Sequence, residues 1–188
     1  MIVWGWLFIG LVIVLGVLAL YLSNTAGRLD RLHRRIDVAE HSLDTQLLRR
    51  SSVAMEIATS GFLDPASAVL LADAAHMAAA AIDTRSTDRG QASAAAESVL
   101  TRALDLALEE EEIEELREIP AGLALISDLE AAALRVQLSR RFLNDAVRAC
   151  RQLRGRRAVR WFSLAGRTEW PFPREMDDSL PESLSKPA

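Results

Sequence analysis

Residues 2–22 read IVWGWLFIGLVIVLGVLALYL, an unbroken apolar run without a charged side chain. As an α-helix that rises ~1.5 Å per residue, this run is roughly 30 Å long, which matches the hydrocarbon core of a bilayer. Only Met1 precedes it, and it is much longer than the apolar core of a secretory signal peptide. We therefore predict a transmembrane anchor at residues 1–23; cleavage near residues 23–27 is the minor alternative.

The charges that flank this run predict its orientation. Arg28, Arg31, Arg34 and Arg35 follow the run closely, whereas only the α-amino group precedes it. Basic flanks remain on the cytoplasmic side of a membrane, and acidic neighbours count for little. We expect a single-pass protein of the plasma membrane, with its N-terminus outside and the rest of the chain in the cytoplasm.

The composition favours helices. Of the 188 residues, 50% are hydrophobic but only 5% are aromatic, and alanine is abundant. This mix suits closely packed helices better than a sheet. Of the 22 basic residues only Lys186 is a lysine, which is typical of a bacterial chain from a GC-rich genome. The single cysteine, Cys150, can form neither an internal disulfide nor a metal cluster alone.

Apolar periodicity predicts four helices after the anchor. The first, over residues 25–60, continues from the anchor, and its apolar stripe misses one position at Arg50. Asp64-Pro65 is a helix start signal for a second helix that ends near Asp83. A third covers residues 92–118, residues 120–122 form a break, and a fourth covers residues 123–154. The stripe of the first helix contains Leu29, Leu32, Ile36, Ala39, Leu43, Leu47, Ala54 and Ile57. The stripe of the third contains Val99, Ala103, Leu106, Ile113 and Leu116. The stripe of the fourth contains Ile126, Leu129, Ala133, Val136, Leu143, Val147 and Cys150.

Short connections between these helices imply an antiparallel arrangement. The predicted fold is all-α: an N-terminal transmembrane helix followed by an up-and-down four-helix bundle with coiled-coil-type packing, its long first helix continuous or nearly so with the span. The predicted domains are the anchor at 1–23, a cytoplasmic bundle at 24–165 and a Pro-containing, disordered tail at 166–188.

Charge is unevenly distributed among the helices. The third helix is strongly acidic and the fourth strongly basic, which is ordinary for solvated faces with some pairing between helices. The fourth helix leads into a basic and aromatic segment that the topology returns towards the membrane. An anionic lipid surface and an ordinary solvated helix end explain this segment equally well, and nucleic acid is not expected. The candidate contact residues for lipid or a partner are Arg34, Arg35, Arg156, Arg157, Arg160 and Trp161.

The sequence offers no catalytic constellation. The three histidines are His33, His41 and His76, and the first two lie eight residues apart, about 12 Å along a helix. That separation is too large to share an ion without another helix. Glycine-rich phosphate loops, G-x-S-x-G and H-E-x-x-H are missing from the sequence. We therefore expect neither an enzyme nor a bound metal or cofactor.

Two blocks resemble the LemA family. Residues 28–50, RLDRLHRRIDVAEHSLDTQLLRR, are similar to its first conserved segment, in which Ile-Asp-x-Gln-Leu-x-Arg-Arg forms the core. Residues 133–150, ALRVQLSRRFLNDAVRAC, are similar to its final helix, with Asn-Asp-Ala-Val-Arg at 144–148. The chain departs from the family at residues 51–54 and at Cys150-Arg151. The resemblance covers residues 24–151 and implies a single span with a helical cytoplasmic bundle, but no functional residues.

Three hypotheses for function follow. The first is a membrane-anchored, non-catalytic interaction or scaffold module whose partner is a protein that the sequence does not identify, or a second copy of the chain. The second is a structural protein of the membrane surface that binds anionic lipid. The third, an enzyme with an unrecognised site, has the least support.

Overall fold

The computed structural model describes residues 2–83, 89–162 and 170–185. All regular structure in these ranges is helical, which confirms the all-α prediction. The longer helices are α1 (Ile2–Thr59), α2 (Pro65–Asp83), α3 (Arg89–Ala107) and α5 (Pro120–Arg154). The shorter ones are α4 (Glu110–Glu118), α6 (Arg157–Trp161) and α7 (Glu182–Ser185).

The span and the first bundle helix form one element, as predicted. α1 contains 58 residues, and its apolar first half is long enough to cross a membrane. The large apolar side chains from Phe8 to Tyr21 are exposed, whereas Leu43, Leu47 and Ile57 are fully buried. α1 therefore changes from an apolar candidate span into an amphipathic core helix without interruption.

α2 also passes the length and composition test for a membrane span, because it is rich in alanine and leucine. Leu71, Ala74, Ala75 and Ala78 of α2 are nevertheless buried in the hydrophobic core. This burial is typical of the core helix of a bundle.

The contacts divide the chain into two compact units. Unit 1 contains residues 1–38 and 145–173, and unit 2 contains residues 39–144 and 174–188. In unit 1, the buried side chains of α1 are Thr25, Leu29 and Ile36. The buried apolar residues of its second segment are Ala146, Val147, Cys150, Leu153 and Val159.

The connection between α1 and α2 in unit 2 follows the predicted signals. Gly61 adopts a φ of 78°, a left-handed conformation that glycine accepts without strain. Asp64 caps α2, because its Oδ1 accepts the Ala66 N–H at 2.8 Å. Hydrogen bonds from Ser67, which contribute most, and from Ala66 lower the pKa of the Asp64 carboxyl.

The prediction of one helix over residues 92–118 is wrong. α3 ends at Ala107, and α4 starts at Glu110. Three glutamates occupy the first turn of α4, where negative charge is favourable beside the unpaired N–H groups of a helix start. The acidic run thus marks a new helix N-terminus.

The predicted break at residues 120–122 is wrong, because the interruption lies at Ile119 and residues 120–122 are helical. α4 ends before Ile119, and α5 starts at Pro120, the first position that proline favours. The Leu123 N–H already donates to the Ile119 carbonyl at 2.9 Å. Gly122 therefore lies inside the first turn of α5.

The stripe predicted for the third helix is partly wrong as well. Val99 and Leu106 are exposed, whereas Leu100 and Leu104 are fully buried. The stripe of α5 was predicted correctly, because all seven positions from Ile126 to Cys150 are buried. Six of the eight predicted positions of α1 are buried, and Leu32 and Ala39 are half-buried.

The C-terminal segment differs from the disordered tail predicted at 166–188. Residues 174–185 hydrogen-bond to bundle side chains, and Leu184 joins the hydrophobic core of unit 2. Their partners are distant in sequence, so local composition could not reveal them. Residues 166–169 and 186–188 of this predicted tail lie outside the described residues.

Candidate functional site

The predicted basic and aromatic residues all belong to unit 1. Arg34 and Arg35 are exposed on α1. Arg156, Arg157 and Arg160 are exposed at and within α6, and Trp161 is 85% exposed. Unit 1 also contains the candidate span, so the structure brings these residues and the span into one compact unit.

α6 starts directly after the end of α5. The Arg156 N–H donates to the Leu153 carbonyl at 3.2 Å, and the Arg160 N–H donates to the Arg156 carbonyl at 3.2 Å. Val159 is buried, so it fixes α6 while its charged neighbours remain exposed. Among the side chains of α6 that the structure describes, Val159 is the buried one that anchors this five-residue helix.

Trp170 in the same unit contacts two arginines. The guanidinium carbons of Arg154 and Arg151 lie 4.8 and 5.9 Å from the centroid of its ring. Arg154 is buried, and a guanidinium over an indole face is a favourable arrangement for a desolvated cation. Trp170 is therefore a packing residue of unit 1.

The histidines and the cysteine form no metal site among the described residues. His41 and His76 are exposed. Cys150 is fully buried, as its place on the α5 stripe predicts. Burial raises the pKa of its thiol, against a smaller opposing effect of Arg154, so the thiol is kept protonated and unreactive.

A charged pair lies in the core of unit 2. Arg50 of α1 is 1% exposed, and Glu97 of α3 is 0% exposed. An Arg50 Nη1 and a Glu97 Oε2 are 3.6 Å apart. Arg50 Nη2 donates to Thr101 Oγ1 at 2.6 Å. The position that interrupts the α1 stripe is thus a true core position occupied by a cation.

The charged form of the Glu97 carboxylate is poorly stabilised by its surroundings. Neither of its oxygens accepts a hydrogen bond from a described residue. Burial raises the pKa of Glu97 to about 7, although Arg50 and Arg174 act to lower it. Burial also lowers the pKa of Arg50, against the opposing effect of Glu97. The cost of removing this pair from water therefore exceeds its mutual attraction.

The C-terminal segment lies on this buried centre. The Thr101 hydroxyl, which accepts from Arg50, donates to the Asp177 carbonyl at 2.9 Å. The Arg140 guanidinium donates to both oxygens of Asp178 at 2.6 and 2.8 Å. Arg174 Nη2 lies 4.0 Å from Asp44 Oδ1. Each of these contacts is within unit 2.

Sequence reasoning missed this centre, although two signals were present. Arg50 falls on the α1 stripe, between Leu47 and Ala54. Glu97 precedes Leu100 and Leu104 by helical steps of three and seven. Two opposite charges at core positions of neighbouring stripes indicate a buried pair, and the Glu97 signal was hidden by the other acidic residues of its helix.

Comparison of the chain with family models, curated proteins and solved structures finds no match.

Proposed function

We propose that this chain is a single-pass membrane protein of LemA-like type, whose helical bundle acts as a non-catalytic interaction module at the cytoplasmic face of the plasma membrane. The observation that supports it best is the uninterrupted α1, which joins an exposed apolar span to a bundle core. The arginines after the span favour the cytoplasmic orientation.

An exposed apolar stripe supports a role in protein interaction. Leu134, Leu138 and Phe142 of α5 are 53%, 42% and 62% exposed. They are four residues apart and therefore lie along one side of the helix, the α5 outer stripe. Apolar side chains grouped in this way are typical of a surface that a helix of a partner covers.

Capture of a partner tests the proposal. We expect crosslinking of the intact chain in its own membranes to capture a protein in stoichiometric amount. The triple variant Leu134→Ser/Leu138→Ser/Phe142→Ser should lose it, because the apolar contact is removed. The control Val99→Ser/Leu106→Ser makes the same kind of change on α3 and should retain it.

Two results would contradict either this role or its assignment to the α5 outer stripe. One is recovery of the chain with only itself and lipid, which would favour a self-assembling structural protein. The other is capture that the triple variant leaves unchanged, which would remove the α5 outer stripe from the interaction.

A second function, binding of anionic lipid, is favoured by one observation. Trp161 and Phe162 are 85% and 48% exposed beside three exposed arginines, in the unit that contains the span. Aromatic side chains favour the interface of a bilayer, and each basic residue near an anionic surface contributes about 1 kcal/mol.

Vesicle binding tests this second function. The variant Arg156→Gln/Arg157→Gln/Arg160→Gln of residues 24–188 is expected to bind anionic vesicles about 100-fold more weakly than the unchanged chain. Matched changes at the exposed Arg102, Arg135 and Arg141 should have a small effect. Equal binding of both triple variants, measured by co-sedimentation at low salt, would exclude the α6 segment as the lipid contact.

A further inference from the structure

The C-terminal segment is held by its main chain. Asn144 Oδ1 accepts the Arg174 N–H at 2.9 Å, and Asn144 Nδ2 donates to the Arg174 carbonyl at 3.2 Å. One amide side chain thus contacts both polar groups of one residue. Any residue except proline can make this contact, because its own side chain takes no part in it.

Three more bundle side chains bind the main chain of the segment. The Asp177 N–H donates to Ser98 Oγ at 3.1 Å, and Thr101 Oγ1 donates to the Asp177 carbonyl at 2.9 Å. Gln137 Nε2 donates to the Asp178 carbonyl at 2.9 Å. A segment without regular secondary structure cannot pair its own main-chain N–H and C=O groups. The bundle therefore binds the main chain of the segment much as a peptide-binding groove binds its ligand.

Besides these main-chain contacts, four side chains of the segment contact the bundle. Arg174 Nη2 lies 4.0 Å from Asp44 Oδ1, and the Ser183 hydroxyl donates to the Leu108 carbonyl at 2.7 Å. Asp178 is 7% exposed and receives both donors of the Arg140 fork, which is selective for a carboxylate. Leu184 is buried in the hydrophobic core, six residues later. Glu175, Asp177 and Ser179 are exposed on the outer side.

We propose that the surface formed by Ser98, Thr101, Gln137, Arg140 and Asn144 is a peptide-binding groove. Residues 174–184 are its ligand in cis, and its trans ligand is a peptide of a partner protein with an acidic residue for Arg140 and, six positions later, an apolar residue at the place of Leu184 in α7. The acidic residue is required by charge complementarity with Arg140, and the apolar residue by the buried position of Leu184.

The attachment of the segment to the chain sets the threshold for a partner. A ligand in the same chain has a high effective concentration, so a trans peptide must displace it to bind. The segment therefore keeps the groove closed until a peptide of higher local concentration or affinity arrives. The groove differs from the α5 outer stripe, so either surface can bind a partner without the other.

Competition with a labelled peptide tests the groove. The probe is a fluorescent peptide of residues 172–185, added to the full chain in detergent micelles. The Asp178→Ala chain, whose own segment is weakened, should bind it at least tenfold more tightly than the unchanged chain. Adding Arg140→Ala to that chain should remove this gain, whereas adding Arg141→Ala, at an exposed neighbouring position, should not.

Two outcomes of this experiment would overturn the proposal. The first is that the folded Asp178→Ala chain, checked by its helical circular dichroism, fails to bind the peptide. The second is that the unchanged chain forms a dimer and that Asp178→Ala dissociates it. In such a dimer the segment of each copy would bind the groove of the other copy, so it would not be a ligand in cis.

Hydrogen exchange of the unchanged chain gives a test that needs no variant. If the segment is a docked ligand, the amides of Arg174 and Asp177 should exchange about 100-fold faster than those of Leu100 and Leu104, and their rates should depend little on urea. Equal protection of both groups would show that the segment is an integral part of the core, and would overturn the proposal.

Discussion

Unit 2 is expected to lose about 3 kcal/mol of stability as the pH rises from about 4.5 to above 7. Burial raises the pKa of Glu97 from 4.5 to about 7, so the unfolded chain releases this proton before the folded chain does. Folding in this interval takes up a proton, and the free energy of unfolding therefore falls as the pH rises. Below the interval both states are protonated, and above it the loss is complete.

Glu97→Gln should abolish this pH dependence. Glutamine resembles the protonated carboxyl, so the variant should match the unchanged chain near pH 4.5 and exceed its stability by up to about 3 kcal/mol at pH 8. Urea titrations of the full chain in detergent, followed by circular dichroism, measure both quantities. Glu56→Gln removes the same charge at an exposed position of α1 and serves as the control.

The opposite sign at pH 8 would contradict this explanation. A variant at Glu97 that is less stable than the unchanged chain would mean that the attraction between Arg50 and Glu97 exceeds the cost of burying them. The pair would then stabilise unit 2 in its charged form.

Gly122→Ala is expected to destabilise unit 2 by about 2–3 kcal/mol. A Cβ at this position would lie 2.3 Å from the Leu116 carbonyl oxygen and 3.0 Å from its carbon. Both are backbone atoms, so α4 and the first turn of α5 would have to separate. The higher helix propensity of alanine, about 1 kcal/mol, offsets only part of this cost.

Gly27→Ala is the matched control for this substitution. Gly27 also lies inside a helix, but the neighbour that its Cβ would meet among the described residues is Arg31 Nη1, at 3.9 Å. This variant should gain up to about 1 kcal/mol. Thermal unfolding of both variants in the same detergent compares them, and equal midpoints would exclude a close approach at Gly122.

Most of the fold was predictable because it depends on local periodicity. The α1 and α5 stripes repeat over many turns, and the Asp64-Pro65 signal acts within one turn. The third helix was harder, because Val99 and Leu100 are adjacent apolar residues and the pattern fits either register. Only packing against other helices, which local sequence does not encode, decides that Leu100 is the buried one.

The centre at Arg50 was less predictable, because it depends on contacts distant in sequence. Arg50 and Thr101 are 51 residues apart, and Thr101 and Asp177 are 76 apart. The composition of the C-terminal segment predicts disorder, since its few apolar residues cannot form a core of their own. Its place in the structure depends on groups that α3 and α5 present to it.

The Thr101 hydroxyl restricts how this chain can diverge. This hydroxyl accepts a hydrogen bond from the Arg50 guanidinium and donates one to the Asp177 carbonyl, so a buried cation and the C-terminal segment depend on the same group. Only serine offers an equivalent hydroxyl at the same reach. Position 101 therefore cannot change by itself. In a related chain that lacks the hydroxyl, both the arginine at position 50 and the segment at 174–184 have to differ as well.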